Sequence, residues 1–305
     1  ILSKLIVSRN FDLDEIHSLE NISTISNDFK KDEDFIKGAS LLENCIKNNQ
    51  LICIFGDYDV DGTASASLLA KFFDYIQHPY FFYIPDRERD GYGPSIKLFK
   101  KLILKKPKLM IMVDCGSTSN EAIDYLNNKN IKSIIIDHHE INKPYPKSNI
   151  IINPKKNINY SLKNYFCATT LTYFFLDIIN KNTKSSFNLS NYLIYVLLAI
   201  VCDVMPLRKI NRSIALNLIN SFNIKDNIVF KTLYELSEKK ENLIIDDLGF
   251  FIGPIVNSGG RLSKSLIAAN LLMSDDLLFV KKQSKDLIEL NNKRKEIENK
   301  ILSEI

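Results

Sequence analysis

The chain lacks the pairing patterns of a disulfide scaffold or a zinc ribbon. Its five cysteines, Cys45, Cys53, Cys115, Cys167 and Cys202, are odd in number, widely spaced and never arranged as Cys-x-x-Cys. Neither a disulfide framework nor a thiolate zinc site is expected, and a reducing, cytoplasmic setting fits best. Long hydrophobic runs are missing too. The most apolar stretch, Tyr192 to Cys202, is shorter than the roughly 20 residues a membrane-spanning helix needs, and no secretory leader is expected from the first residues. Charge of one sign is not in marked excess: Lys and Arg number 40 and Asp and Glu 36. The net charge of +4 is compatible with a polyanionic partner without pointing to one. No internal repeat or low-complexity segment stands out. Histidine is scarce, four in 305 residues, and two of the four stand side by side.

What is present is an α/β pattern. With 45% hydrophobic residues, the chain is long enough for two domains, or for one large domain with an appendage. Three short apolar runs, Leu51 to Phe55, Leu109 to Val113 and Lys132 to Ile136, read as strands buried on both faces, and helix-like segments separate them, so a parallel sheet flanked by helices is expected. Tyr80 to Ile84 reads as a further strand, broken by Pro85, and Ser65 to Ile76 as an amphipathic helix. Each of the three runs ends at an acid: Asp57, Asp114 and Asp137. In open α/β sheets the ligand crevice lies beyond the carboxyl ends of the strands, so separate segments deliver their acids to one place.

The acids are the informative residues. Asp57, Asp59 and Asp61 alternate within five positions, where like charges repel unless a cation neutralises them; one acid after a strand is readily a helix cap, but three are not. Carboxylates with one or two imidazoles suit Mn²⁺ or Mg²⁺. In Asp137-His138-His139, one imidazole suits the metal and the other a phosphate. Asp114 begins a turn through Gly116. Asp203 interrupts an apolar helix that Pro206 is expected to stop, and it reads either as a ligand or as a cap or ion-pair partner of Arg208 or Arg212. The segment Gly253 to Arg261, which includes Asn257, reads as a loop: either a phosphate cradle or a turn with a surface arginine. The charged segment Asp86 to Pro94 reads as an exposed, substrate-holding loop. From Ser274 to the end a long charged helix is expected. With nothing after it to bury its apolar stripe, it reads as a connector, the alternative being a helix folded back on the body.

Together these motifs resemble the DHH phosphoesterase superfamily, whose tripeptide stands here as Asp137-His138-His139, and within it the RecJ-like exonucleases. The resemblance is carried by Gly56 to Gly62, Ile84-Pro85-Asp86-Arg87 with Gly91-Tyr92-Gly93, Asn153-Pro154, Asp203 to Leu207, and Gly253-Pro254 through Asn257 to Leu262. It implies two Mn²⁺ or Mg²⁺ ions on Asp59, Asp61, Asp114, His138 and Asp203, with Asp57 and His139 as catalytic groups in the same site. Arg87, Asn257 and Arg261 would contact phosphate or DNA. It further implies two-metal hydrolysis of single-stranded DNA from the 5′ end in recombination and repair, by a monomer that meets single-strand binding protein and a RecQ-type helicase, without membrane attachment. Residues 1–272 would form the catalytic DHH domain and 273–305 an interdomain linker helix, with a glycine-rich second domain and an oligonucleotide-binding fold outside this chain. The chain departs from the family at Cys167-Ala168-Thr169-Thr170, where a Cys-Gly-Ala-Gly run is usual; the departure is expected to touch local helix packing and no catalytic position. Two other readings stay open: a small-substrate DHH phosphoesterase acting on oligoribonucleotides, cyclic dinucleotides or nucleotide phosphates, and an inactive DHH scaffold.

Overall fold

A computed structural model describes residues 2–13, 15–16, 29, 31–156, 164–262 and 264–304. In chain order the elements are α1 (Leu2–Ser8), α2 (Glu33–Lys47), β1 (Ile52–Gly56), α3 (Val60–Tyr75), β2 (Tyr80–Tyr83), α4 (Ile96–Leu102), β3 (Leu109–Val113), α5 (Asn120–Asn128), β4 (Lys132–Ile136) and β5 (Ile150–Ile152). They continue with α6 (Ala168–Asn182), α7 (Leu193–Cys202), α8 (Lys209–Ser221), α9 (Ile228–Leu236), α10 (Gly253–Arg261), α11 (Ser265–Met273) and α12 (Leu277–Ser303). The five strands form one sheet in the order β2-β1-β3-β4-β5, and every pairing is parallel.

The uninterrupted apolar runs follow from a sheet covered on both faces. Ile52, Ile54, Ile111, Val113, Ile134 and Ile136 face a core shared with α2, α3, α6 and α7. The alternate residues Cys53, Phe55, Met110, Met112 and Ile135 face a second core built on α4 and α5. The short strand β5 is not anticipated from the sequence, because three residues between turn-forming segments carry too little periodicity.

Beyond the sheet the chain is helical. Helix α3 packs on α6, α7 and α11, and α12 on α9, α10 and α11. The first half of α12 is thus folded back on the body: Val280, Leu287 and Leu290 are buried, as are Gln283, Ser284 and Asn291, and Ser258 donates to the Leu287 carbonyl at 3.1 Å. From residue 292 onward nearly every position of α12 is exposed.

Two expectations are corrected. Gly253 to Arg261 is a helix, α10, entered through a π-helical turn at Leu248–Ile252. The glycines that suggested a loop are there for close packing. A Cβ on Gly253 would lie 2.4 Å from Cys202 Sγ, and one on Gly260 would lie 2.6 Å from the Tyr58 carbonyl oxygen. Nor does Pro206 end α7. The helix closes at Cys202 with Asp203 as C-cap, Val204 takes the left-handed conformation at φ +54°, and the N–H groups of Val204 and Met205 return to the carbonyls of Val201 and Ile200 at 3.3 and 2.9 Å. That is a Schellman closure made without glycine. Among the described residues no helix is long and apolar enough to cross a membrane.

Candidate metal centre

The first acidic segment is part loop and part helix. Asp59 is the N-cap of α3 and accepts from the Gly62 N–H at 3.0 Å, so α3 begins five residues before the amphipathic pattern shows it and Asp61 lies in its first turn. The tight return needs glycine: a Cβ on Gly62 would stand 2.5 Å from the Asp57 carbonyl oxygen. At the end of β3, Asp114 is held in the left-handed region, φ +59°, a conformation that costs an L-residue about 1–2 kcal/mol and recurs at functional sites. Asp137 follows β4 and accepts from the N–H groups of His138 (2.8 Å), His139 (3.1 Å) and Ser117 (3.0 Å). Asp203 comes from the C-cap of α7. Neither arginine weighed as its partner is directed at it: Arg208 binds Glu15, with Nε 2.7 Å from Oε1, and the Arg212 guanidinium lies 5.6 Å over the Phe11 ring.

These segments converge. Three overlapping groups, Asp57–Asp59–Asp114, Asp61–His138–Asp203 and Asp114–His138–His139, each bring their ligand atoms within 4.8 Å of one another. His138 Nε2 is central, 3.3 Å from Asp114, 3.4 Å from Asp203 and 3.6 Å from Asp61. Asp57 Oδ1, both carboxylate oxygens of Asp114, His138 Nε2 and Asp203 Oδ2 are buried without a hydrogen-bond partner. Buried polar atoms left unpaired cost about 1–3 kcal/mol each, and more when charged. Such a set of orphaned acceptors around one point fits a divalent cation.

The electrostatics agree. Burial, with the Asp59 charge adding, pushes Asp57 up to about 7; burial and then Asp61 push Asp203 up to about 7. Asp114 is raised well above the usual carboxylate range by burial and by the neighbouring acids, and Asp59 is raised for the same reasons. Burial lowers His138, leaving the neutral imidazole that metal ligation requires. His139 differs. A hydrogen bond from its Nδ1 to Asp137 at 2.8 Å raises it to about 9, so it presents a cation at the mouth of the site. Asp137 is the partner that stays ionised: burial works against its charge, but the His139 contact holds it well below the usual range.

Of the expected phosphate contacts, Arg87 is exposed, with its guanidinium 5.8 Å over the Tyr58 ring. Arg261 is exposed at the end of α10, one residue beyond Gly260, whose absent side chain leaves room for Tyr58. The Asn257 Oδ1 accepts from the Val60 N–H at 3.0 Å, tying α10 to the first turn of α3. The Tyr92 ring bridges this rim, 6.3 Å from Tyr58 and 6.4 Å from His139.

One expectation about the site was wrong. The Cys167-Ala168-Thr169-Thr170 segment does touch it, because it is the N-terminus of α6 and grips Asp61. The two partners lie 107 and 108 positions apart, and nothing local in the sequence couples them. Asn153 and Ser117 were likewise not expected as supports: Asn153 Nδ2 donates to Ser117 Oγ at 2.8 Å and to the His139 carbonyl at 3.0 Å, fixing the His139 backbone beside Asp137.

Residues 51–200 match the DHH family, N-terminal domain. Over a longer span it is similar to RecJ. It is 30% identical over 275 residues to the single-stranded-DNA-specific exonuclease RecJ of Haemophilus influenzae, covering 86% of this chain and 48% of that protein. It is 27% identical over 322 residues to RecJ of Bacillus subtilis, covering 100% of this chain and 38% of that one. The chain thus spans half or less of the length of these curated relatives. Among solved structures, exonuclease RecJ bound to manganese superposes with a TM-score of 0.81 at 23% identity, over 90% of this chain and 69% of that one. RecJ from Thermus thermophilus in complex with Mn²⁺ gives 0.80 at 21% identity, over 96% and 43%. These structural likenesses show the fold.

Proposed function

We propose that the chain is the catalytic part of a metal-dependent phosphodiesterase that hydrolyses single-stranded DNA from the 5′ end, using two divalent cations, Mn²⁺ or Mg²⁺. The observation that carries this reading is the set of buried, partnerless acceptors on Asp57, Asp114, His138 and Asp203, from four separate segments. In this proposal Asp59, Asp61, Asp114, His138 and Asp203 hold the cations, with Asp57 in the same cluster. Bound cations supply positive charge for the phosphate oxygens and acidify the attacking water. The chain's own contribution is to hold those groups rigidly, to keep His138 neutral, and to offer the His139 imidazolium, fixed by Asp137, to a non-bridging phosphate oxygen. Arg87, whose guanidinium lies over the Tyr58 ring, and Arg261, exposed one residue beyond Gly260, suit a terminal phosphate. Asn257 then acts through the α3 turn that it ties down.

The single-stranded substrate rests on the likeness to proteins named single-stranded-DNA-specific exonucleases, and the 5′ polarity is the part of the proposal that end-labelling decides. Cytoplasmic repair and recombination, a monomeric state and encounters with single-strand binding protein and a RecQ-type helicase belong to the same proposal, as does an interdomain linker role for residues 273–305, whose positions from 292 onward are nearly all exposed. The test is cleavage of end-labelled single-stranded DNA beside a dinucleotide and a cyclic dinucleotide, with Mn²⁺. Release of mononucleotides from the 5′ end, abolished by His138→Ala in a folded protein, is the expected result. Faster hydrolysis of the short substrates overturns the DNA reading in favour of a small-substrate phosphoesterase, and no divalent-dependent hydrolysis of any of them leaves an inactive scaffold.

A further inference from the structure

We infer that Thr169 is a positioning residue for the metal centre: its side-chain hydroxyl fixes the carboxylate of Asp61 and thereby sets the cation affinity of the Asp61–His138–Asp203 half. The inference rests on the ligand assignment proposed for Asp61. Asp61 is buried, and among the acids proposed as cation ligands it has three donors on its carboxylate oxygens. The Ala168 N–H reaches Oδ2 at 2.7 Å, the Thr169 N–H reaches Oδ1 at 2.8 Å, and the Thr169 hydroxyl reaches Oδ1 at 2.6 Å. Both N–H groups belong to the first turn of α6, where amides have no intrahelical partner and the dipole favours an anion.

The hydroxyl has one proton, so its oxygen neighbours cannot all be acceptors from it. Its shortest contact is Asp61 Oδ1. The Asp61 carbonyl, 3.0 Å from the Thr169 hydroxyl, has its own donor in Ser65 Oγ at 2.7 Å. Ser65 and Thr169 lie 3.0 Å apart in the same buried corner, yet only Thr169 touches the carboxylate. With Oδ1 held by two donors, the side chain is locked in one rotamer, and Oδ2 is the atom turned toward His138 Nε2, 3.6 Å away. Groups that orient a ligand in this way are typically worth about 10–100-fold in metal affinity. Thr169→Val keeps the shape and the N–H while removing the donor.

The experiment is calorimetric titration of the metal-free chain with Mn²⁺, which reads binding rather than turnover. Wild type is expected to bind two ions, and Thr169→Val to weaken one of them by about tenfold or more while leaving the other. Thr169→Ser should restore it. Ser65→Ala, which removes the neighbouring hydroxyl from the same corner, should leave both unchanged. If valine does not fold there, Thr169→Ala set against Thr169→Ser carries the same comparison. Identical Mn²⁺ isotherms for Thr169→Val and wild type, equal weakening by Ser65→Ala, or failure of serine to restore binding would each overturn the inference. A wild-type chain that binds no Mn²⁺ overturns instead the metal-centre reading beneath it.

Discussion

The two halves of the candidate metal centre are built on opposite plans. On one side Asp61 is sheathed by donors from the first turn of α6, so its charge is met by protein before any cation arrives. On the other, Asp57 Oδ1 and both Asp114 oxygens are buried with no hydrogen-bond partner, and they share their group with a third acid, Asp59. A protein side that is already compensated gives geometry. A side that is not stores repulsion, which a cation or a proton relieves. The same fold thus sets a fixed anchor beside a group of mutually repelling acids.

The sharpest way to break that contrast is to remove an acid from the uncompensated side. Asp114→Ala should abolish Mn²⁺-dependent hydrolysis, a loss exceeding the roughly 10–100-fold typical of outer supporting residues. At the same time it should raise the thermal stability of the metal-free chain at pH 8, because a repelling buried carboxylate has gone. Nuclease assay and melting temperature together check it: unchanged turnover, or a lower melting temperature without metal, would contradict the plan.

A second effect, on the order of 2–4 kcal/mol, concerns pH. Asp57 and Asp203 have folded values near 7 against about 3.9 in an unfolded chain. Between those limits the folded state binds more protons than the unfolded state, so the slope of stability against pH is negative. The metal-free chain is expected to be most stable below about pH 4 as far as these groups are concerned, and to lose stability as pH rises through about 7. His139, raised to about 9, contributes stability that is whole below about 6.5 and lost as pH climbs through its folded value. Saturating Mn²⁺ should reverse the trend, since protons and cations compete for the same oxygens. Denaturant midpoints from pH 5 to 9, with and without Mn²⁺, test this; a metal-free curve that rises with pH would refute it.

Packing around the acidic turn gives a smaller effect. Gly260→Ala pushes a methyl group to 2.6 Å from the Tyr58 carbonyl oxygen and 3.1 Å from its ring, and overpacking of this kind costs about 1–3 kcal/mol. Because Tyr58 lies between Asp57 and Asp59, the displacement should weaken the uncompensated half's cation and spare the Asp61 half. Equal loss at both ions in a Mn²⁺ titration would show the two halves to be one rigid unit.

The contrast between the halves also explains what could be read in advance. Asp57, Asp114, Asp137 and His138 were legible because a continuous apolar run names a doubly covered strand, and a parallel sheet sends every strand's end to the same edge. Asp59 and Asp61 were legible through their alternation. The supports were not. Thr169 reaches Asp61 across 108 positions, Asn153 reaches Ser117 across 36, and such contacts depend on how layers stack. The helix α10 was hidden for a related reason. Glycine and proline at Gly253, Pro254, Gly259 and Gly260 carry a strong local signal for a loop, and it was overridden by tertiary packing in which α10 must approach Cys202 and Tyr58 closely.

The mildest probe lies beside Asp203, which shares its group with Asp61 but keeps an orphaned oxygen. Val204 follows Asp203 in the left-handed region at φ +54°, 85% exposed, so its side chain packs on almost nothing while its β-branch strains the backbone. Glycine adopts that conformation without strain but adds freedom to the unfolded chain. The strain is worth about 1–2 kcal/mol and the added freedom about 0.4–1 kcal/mol, so Val204→Gly should stabilise the protein by roughly 0.5–1 kcal/mol on balance. The Schellman bonds from Val204 and Met205 involve backbone alone, so Asp203 should keep its place and Mn²⁺ affinity should not change. A stabilised protein that loses affinity would instead mean that the strain at Val204 aims the Asp203 carboxylate, placing this anchor with the strained Asp114 rather than with the hydrogen-bonded Asp61.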